Sequence, residues 1–148
     1  MIKKSDRELA FTFFNEINII SQLSSNAFSR SLPSGLNQSQ FTVLNWFSRV
    51  DSVATPGRLS TALMVTKGAM TNTLKKLAEK GFIVIIPDAS SGRQKVVTMT
   101  PKGQKAHAAS IKAATPMMNQ VLGEVSSEQM KDQLATLQKV RRYLDENR

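Results

Sequence analysis

Lys67, Gly68, Thr71, Asn72 and Lys75 fall close together in the run TKGAMTNTLKKLAEKG, residues 66–81. On a helical wheel at ~100° per residue they gather on one side. Met70, Thr73, Leu74 and Leu77 gather on nearly the opposite side. The apolar group predicts a buried face, and the other group a solvent face of short donors and acceptors flanked by lysines. Gly68, Thr71, Asn72 and Thr73 are weak helix formers, at a few tenths of a kcal/mol each and about 1 for glycine. Their place in the front half of an otherwise strong helix asks for a reason, and a DNA major groove supplies one. Asn can pair with adenine through two bonds, Thr can bond a base edge or touch a thymine methyl, and Lys reaches guanine or phosphate. Gly68 leaves room for a close backbone approach near the helix N-terminus, whose free N–H groups and dipole favour phosphate. Taken alone, such a face also reads as ordinary solvated surface. The flanking elements decide between the two.

Upstream, Leu9, Phe13, Phe14, Ile17, Ile20, Leu23 and Phe28 recur at helical spacing over 6–30. Phe11 and Ile19 fall off that stripe, so this helix meets a second partner. LPSG (32–35) ends it. Asn37 and Gln40 form a capping-box start for a helix reaching about Arg49, with Phe41, Leu44 and Phe47 inward. DSVATPG (51–57) reads as a loop, and Thr55-Pro56 as N-cap and first residue of a short helix over 56–63. LMVT is a tight turn ending in Thr66, the next N-cap, and Gly81 stops the helix that follows. FIVII (82–86) and RQKVVTM flank the polar PDASSG, which predicts a β-hairpin with a long loop. Thr100-Pro101 opens another helix, which Pro116 must kink or split. Ser126 with Gln129 starts the last helix, striped by Met130, Leu134, Leu137, Val140 and Leu144.

The predicted fold is mainly α with a small β-wing, in a single domain over 1–148. A winged helix-turn-helix lobe spans 37–100, and long helices over 1–32 and 101–148 flank it. Two amphipathic helices at opposite chain ends, each needing burial, favour a seam shared between two chains. An intramolecular core would use the same stripes.

Charge agrees with a nucleic-acid partner. Lys and Arg number 20 against 11 Asp and Glu, a net charge of +9. Residues 66–105 hold eight basic and two acidic residues, so +6 lies in about a quarter of the chain. Phosphate neutralisation of this kind gives affinity without sequence information. At 41% hydrophobic and 21% charged the chain is globular in composition. There is no cysteine, which excludes disulfides and thiol chemistry, and one histidine, His107, which excludes a multi-histidine metal site within one chain. No P-loop, GxGxxG, HExxH or cysteine nucleophile is present, so no catalytic residue, metal or cofactor is expected. MIKKSDREL is not followed by an apolar signal core and no run is long enough to span a bilayer, so a soluble, cytoplasmic protein without a membrane partner is expected. His107 reads as a surface or interface histidine. Met117, Met118 and Met130 read as core or interface filling, or more sharply as a pliable pocket or an oxidation site. Trp46 lines a cleft between lobe and flanking helices, or is ordinary core.

The segment TKGAMTNTLKKLAEKGFIVIIPDASSGRQKVVTMTPKG, with the upstream QFTVLNWF, resembles the multiple-antibiotic-resistance-regulator (MarR) family of winged-helix regulators. The element order is similar over nearly the whole chain, and the specific motifs cover about 56–103. The resemblance implies a homodimer whose terminal helices interleave, with helix 66–80 in the major groove of double-stranded DNA and one lobe on each half-site. It implies that Arg93 probes the minor groove, which attracts Arg where it is narrow, and that Asp88 orders the wing. Members act typically as repressors released by small phenolic or other ligands, or by oxidants. Two positions depart from the pattern. Ser91 stands where a second wing acid is common, and FIVII is apolar where relatives often alternate basic and acidic residues, leaving Val84 or Ile86 exposed or covered by another element.

Together these readings give a sequence-specific DNA-binding transcriptional regulator, a ligand-responsive repressor that binds a palindromic operator as a homodimer. The alternative is a winged-helix module for protein contact or non-specific DNA compaction. DNA-binding candidates are Thr66, Lys67, Gly68, Thr71, Asn72, Lys75 and Lys76 on the helix and Ser91, Arg93 and Lys95 on the wing. Interface candidates are Phe11, Ile19, Met130, Leu134, Leu137 and Leu144. Trp46 and Met117 are the candidates for a small-molecule effector pocket.

Overall fold

The frame is set where helices begin. Asn37, Thr55, Thr66, Thr100 and Ser126 each accept a hydrogen bond on the side chain from the backbone N–H three residues on, at 2.9–3.1 Å. Each such cap is worth about 1 kcal/mol, and each stands where the sequence places it. Asn37 and Ser126 complete their capping boxes with Gln40 and Gln129. The computed structural model describes residues 1–33 and 35–148, without the side chains of 91 and 92, so Ser34 of the expected LPSG helix stop lies outside the described residues.

The chain divides into two compact units, Met1–Ala114 and Thr115–Arg148. The first holds α1 (Lys4–Ser31), α2 (Gln38–Arg49), β1 (Val53–Ala54), α3 (Pro56–Leu63), α4 (Lys67–Glu79), β2 (Ile83–Asp88), β3 (Ser91–Met99) and α5 (Pro101–Ala113). The second holds α6 (Thr115–Glu124) and α7 (Ser127–Glu146). The break between α5 and α6 answers to Pro116, which cannot donate to the ladder. The first unit takes in α5, which packs on α2, although the sequence pattern groups 101–148 together.

The three strands pair antiparallel in the order β1-β3-β2. Two sequence expectations fail here. The stretch 51–57 is not all loop, because Val53 and Ala54 pair with Thr98 and Val97. Two residues are too few to show a period. The hairpin loop is not long either: the strands run on to Asp88 and from Ser91, leaving only Ala89 and Ser90 at the tip. Pro87 is tolerated because β2 is an edge strand.

The core gathers one face from every element of the lobe. Val43, Leu44, Trp46 and Phe47 of α2 meet Leu59 of α3, Met70, Leu74 and Leu77 of α4, and Ala54, Ile83 and Val97 of the sheet. Leu36, Phe82, Met99 and Ala106 pack around them. By contrast α1, α6 and α7 bury no residue within the chain.

Candidate nucleic-acid interface

Met70, Leu74 and Leu77 fix which side of α4 faces in, so Lys67, Gly68, Thr71, Asn72, Lys75 and Lys76 face solvent. Thr55 and Pro56 start α3, and Met64 closes it in the left-handed conformation at φ 55°. Thr66 then caps α4 through Ala69 N. This is a helix, a tight turn and a second helix whose N-terminus is open to solvent.

The exposed side chains of α4 are not equivalent. Thr71 donates its hydroxyl to the Lys67 carbonyl at 2.9 Å, so toward a partner it offers oxygen lone pairs and a methyl group. The Asn72 side chain makes no hydrogen bond among the described residues, so its carboxamide keeps both donor and acceptor. A Cβ built on Gly68 would meet nothing within 4 Å, so packing inside the chain does not require glycine there.

The wing follows α4 in the chain, and its first strand packs against that helix. Asp88 Oδ1 accepts from Ser90 N at 3.0 Å and from Ser90 Oγ at 2.9 Å, which closes the two-residue tip. Pairing then slips: Pro87 faces Lys95, yet Asp88 faces Ser91. The residues between, 92–94, bulge from β3 and carry Arg93, which is exposed, as is Lys95. A bulge of this kind re-aims a side chain away from the sheet. The Ser91 side chain lies outside the described residues. Of the two alternatives for the apolar strand, exposure holds in this chain: Val84 and Ile86 are open on the outer sheet face, with Val53 in the same row as Val84.

The other candidates are spread out. Trp46 is buried in the lobe core, edge-on to Phe47 and beneath the Arg58 guanidinium. Met117 and Met130 are half-buried, and Leu134, Leu137 and Leu144 of α7 are exposed. Phe11 and Ile19 of α1 are exposed, beside Leu9, Phe14, Ile20 and Leu23. His107 stacks on Phe41 at 5.5 Å, with Nε2 3.1 Å from Asn45 Oδ1, and burial lowers its pKa below the ordinary imidazole value. Among the described residues no cluster of His, Asp and Glu could hold a metal ion, and no helix is long and apolar enough to cross a membrane.

Two polar clusters carry no signal in sequence spacing. Arg58 pairs with Asp51 at 2.7 Å while covering Trp46, and this contact holds the Asp51 carboxyl below the usual range. Lys80 reaches from the end of α4 to Gly35 and Gln40, residues at the start of the lobe. Neither partner is near in the chain, so no periodicity points to the contact.

The fold and the open helix face define a winged helix-turn-helix protein. Residues 34–94 match the model of the MarR family, and over nearly its whole length the chain has a winged-helix fold similar to that of solved transcriptional regulators. The transcriptional regulator BldR from Sulfolobus solfataricus superposes with a TM-score of 0.79 at 25% identity, covering 96% of this chain and 99% of that one. A mutant MarR from E. coli complexed with operator DNA gives 0.72 at 23% identity, over 87% of this chain and 93% of that one. BpsR of Bordetella bronchiseptica, whose DNA binding is regulated by 6-hydroxynicotinic acid, gives 0.73 at 16% identity, over 88% and 98%. No curated protein sequence matches the chain.

Proposed function

We propose that this chain is a sequence-specific, DNA-binding transcriptional regulator, a repressor that binds a palindromic operator as a homodimer and responds to a small molecule. The observation that carries it is the exposed face of α4, where an unpartnered Asn72, Thr71 and a bare Gly68 lie between Lys67 and Lys75. Asn72 and Thr71 read base edges; Lys67, Lys75, Lys76 and the first-turn amides of α4 that Thr66 leaves free take phosphates. Arg93 and Lys95, carried on the bulged strand, reach the minor groove and backbone beside it, with Ser91 as a further wing contact and Asp88 holding the tip. The operator-bound relative supports this use of the fold.

Homodimerisation is supported by the apolar side chains that α1 and α7 leave open, Phe11, Ile19, Leu134, Leu137 and Leu144 among them, with the half-buried Met130 of α7 beside them in sequence. A second chain covers them. The ligand response is supported by the 6-hydroxynicotinic acid relative, with the half-buried Met117 of α6 as the candidate to line the effector site. The relatives are regulators rather than enzymes, and a cytoplasmic location follows from the DNA partner.

Selection of duplexes from a randomised library at physiological salt tests this reading. An enriched inverted repeat with half-site centres about one helical turn apart is expected, together with a sedimentation mass twice the chain's 16.3 kDa. Affinity without any enriched motif favours the other reading, protein contact or compaction, for which the open apolar row Val53, Val84 and Ile86 is the supporting feature.

A further inference from the structure

Lys67, Lys75 and Lys76 of α4 are exposed, but Lys80 at its C-cap is half-buried. Its ammonium donates to the Gly35 carbonyl oxygen and, at 2.8 Å, to Gln40 Oε1. Gln40 is only 3% exposed. The same Oε1 lies 3.4 Å from Asn37 N, within the capping box that starts α2. The end of α4 is thereby tied to the α1–α2 connection and to the first turn of α2, 40 and 45 residues away.

The chemistry of this tie differs from the rest of the α4 seat. Met70, Leu74 and Leu77 hold the helix by apolar contact, which is not directional. Hydrogen bonds from an ammonium are directional and stronger than neutral ones. The cation also sits at the negative end of the helix dipole. Gly81, at φ 74°, turns the chain away directly afterwards. Base reading by a short carboxamide tolerates errors of only about 0.5 Å in placement, so a lock on the helix bears on Asn72.

We infer that Lys80 is a positioning residue. It fixes α4 against the α1–α2 connection so that Thr71 and Asn72 meet the bases in register, and it is not a phosphate contact despite its charge. This rests on the DNA-reading function proposed above.

The test compares the full-length parent with Lys80→Met, which keeps the stem, and Lys80→Arg, which keeps donors and charge. Each is titrated with the selected duplex and with random duplex across a salt series. Lys80→Met should lose about tenfold in affinity for the selected duplex, with random-duplex affinity and salt slope unchanged, and Lys80→Arg should recover most of the loss. Equal losses on both duplexes with a salt slope smaller by about 1 would make Lys80 a phosphate contact and overturn the inference. So would no loss on either. Hydrogen exchange of the free protein gives a readout independent of DNA. The amides of Leu36, Phe41, Gly81 and Phe82 should exchange faster in Lys80→Met than in the parent and return toward parental rates in Lys80→Arg. Unchanged exchange overturns the tie itself, whereas a parent that selects no sequence overturns the DNA reading and leaves the tie to be judged by exchange.

Discussion

The α-carbon of Gly103 is pressed against the carbonyl of Phe82, so that a Cβ there would overlap the carbonyl oxygen and stand 2.9 Å from Met99 Cγ. The carbonyl has little freedom to yield. It accepts the Thr100 amide at 3.0 Å, while the Thr100 hydroxyl donates to the Gly81 carbonyl at 2.6 Å. The start of α5 is thus locked onto the junction between α4 and β2. Gly103→Ala should destabilise the chain by about 2–3 kcal/mol, seen as a lower urea midpoint at fixed protein concentration. A midpoint equal to the parent's would show that the junction relaxes freely.

Gly68 gives the opposite case, since an added Cβ meets nothing in the chain. Alanine is the better helix former by about 1 kcal/mol in a helix interior, less near an end. Gly68→Ala should therefore raise the urea midpoint slightly while weakening binding to the selected duplex, because on the proposed function the methyl group would intrude where the DNA backbone approaches. Unchanged DNA affinity would make Gly68 a neutral surface position.

How much of this was legible in the sequence depends on the range of the interaction. The caps at Asn37, Thr55, Thr66, Thr100 and Ser126 are local, with donor and acceptor three residues apart, and the sequence pattern places each one. The inward face of α4 follows from its period, and Met70, Leu74 and Leu77 are buried as expected. The strand Val53–Ala54 was not legible, because its partners Thr98 and Val97 are over 40 residues away and two residues show no period. The short tip of the wing was missed for a related reason. Turn-forming residues such as Asp88 and Ser90 mark a turn without saying how many neighbours continue the ladder. Summed charge misled at Lys80, which counts among the cations of 66–105 yet turns inward to Gln40.

His107 makes stability depend on pH in a stated direction. Burial against Phe41 holds its pKa in the folded chain below the usual 6.5. The unfolded chain therefore binds the proton more readily, so stability is full above about 6.5 and falls as pH drops through the folded value. Asp51, also lowered, acts in a separate window below its usual 3.8. Urea midpoints at pH 7.5 and 5.5 should fall more for the parent than for His107→Gln, which cannot titrate. Equal falls in both would assign the effect to other groups.

On the proposed function, Asn72 and Lys75 should separate two kinds of DNA contact on one helix face. Asn72 keeps an unpaired carboxamide suited to a base edge, whereas Lys75 offers an exposed charge suited to phosphate. Asn72→Ala should cost about 1–3 kcal/mol on the selected duplex, leave random duplex nearly untouched and relax preference at one base pair of each half-site. Lys75→Ala should weaken binding to both duplexes alike and reduce the salt slope by about 1 per site. The salt series matters because either change alone lowers affinity at a single salt concentration. If Asn72→Ala bound selected and random duplex as the parent does, base reading would not pass through this residue, and Thr71 alone would be left to carry it on this face.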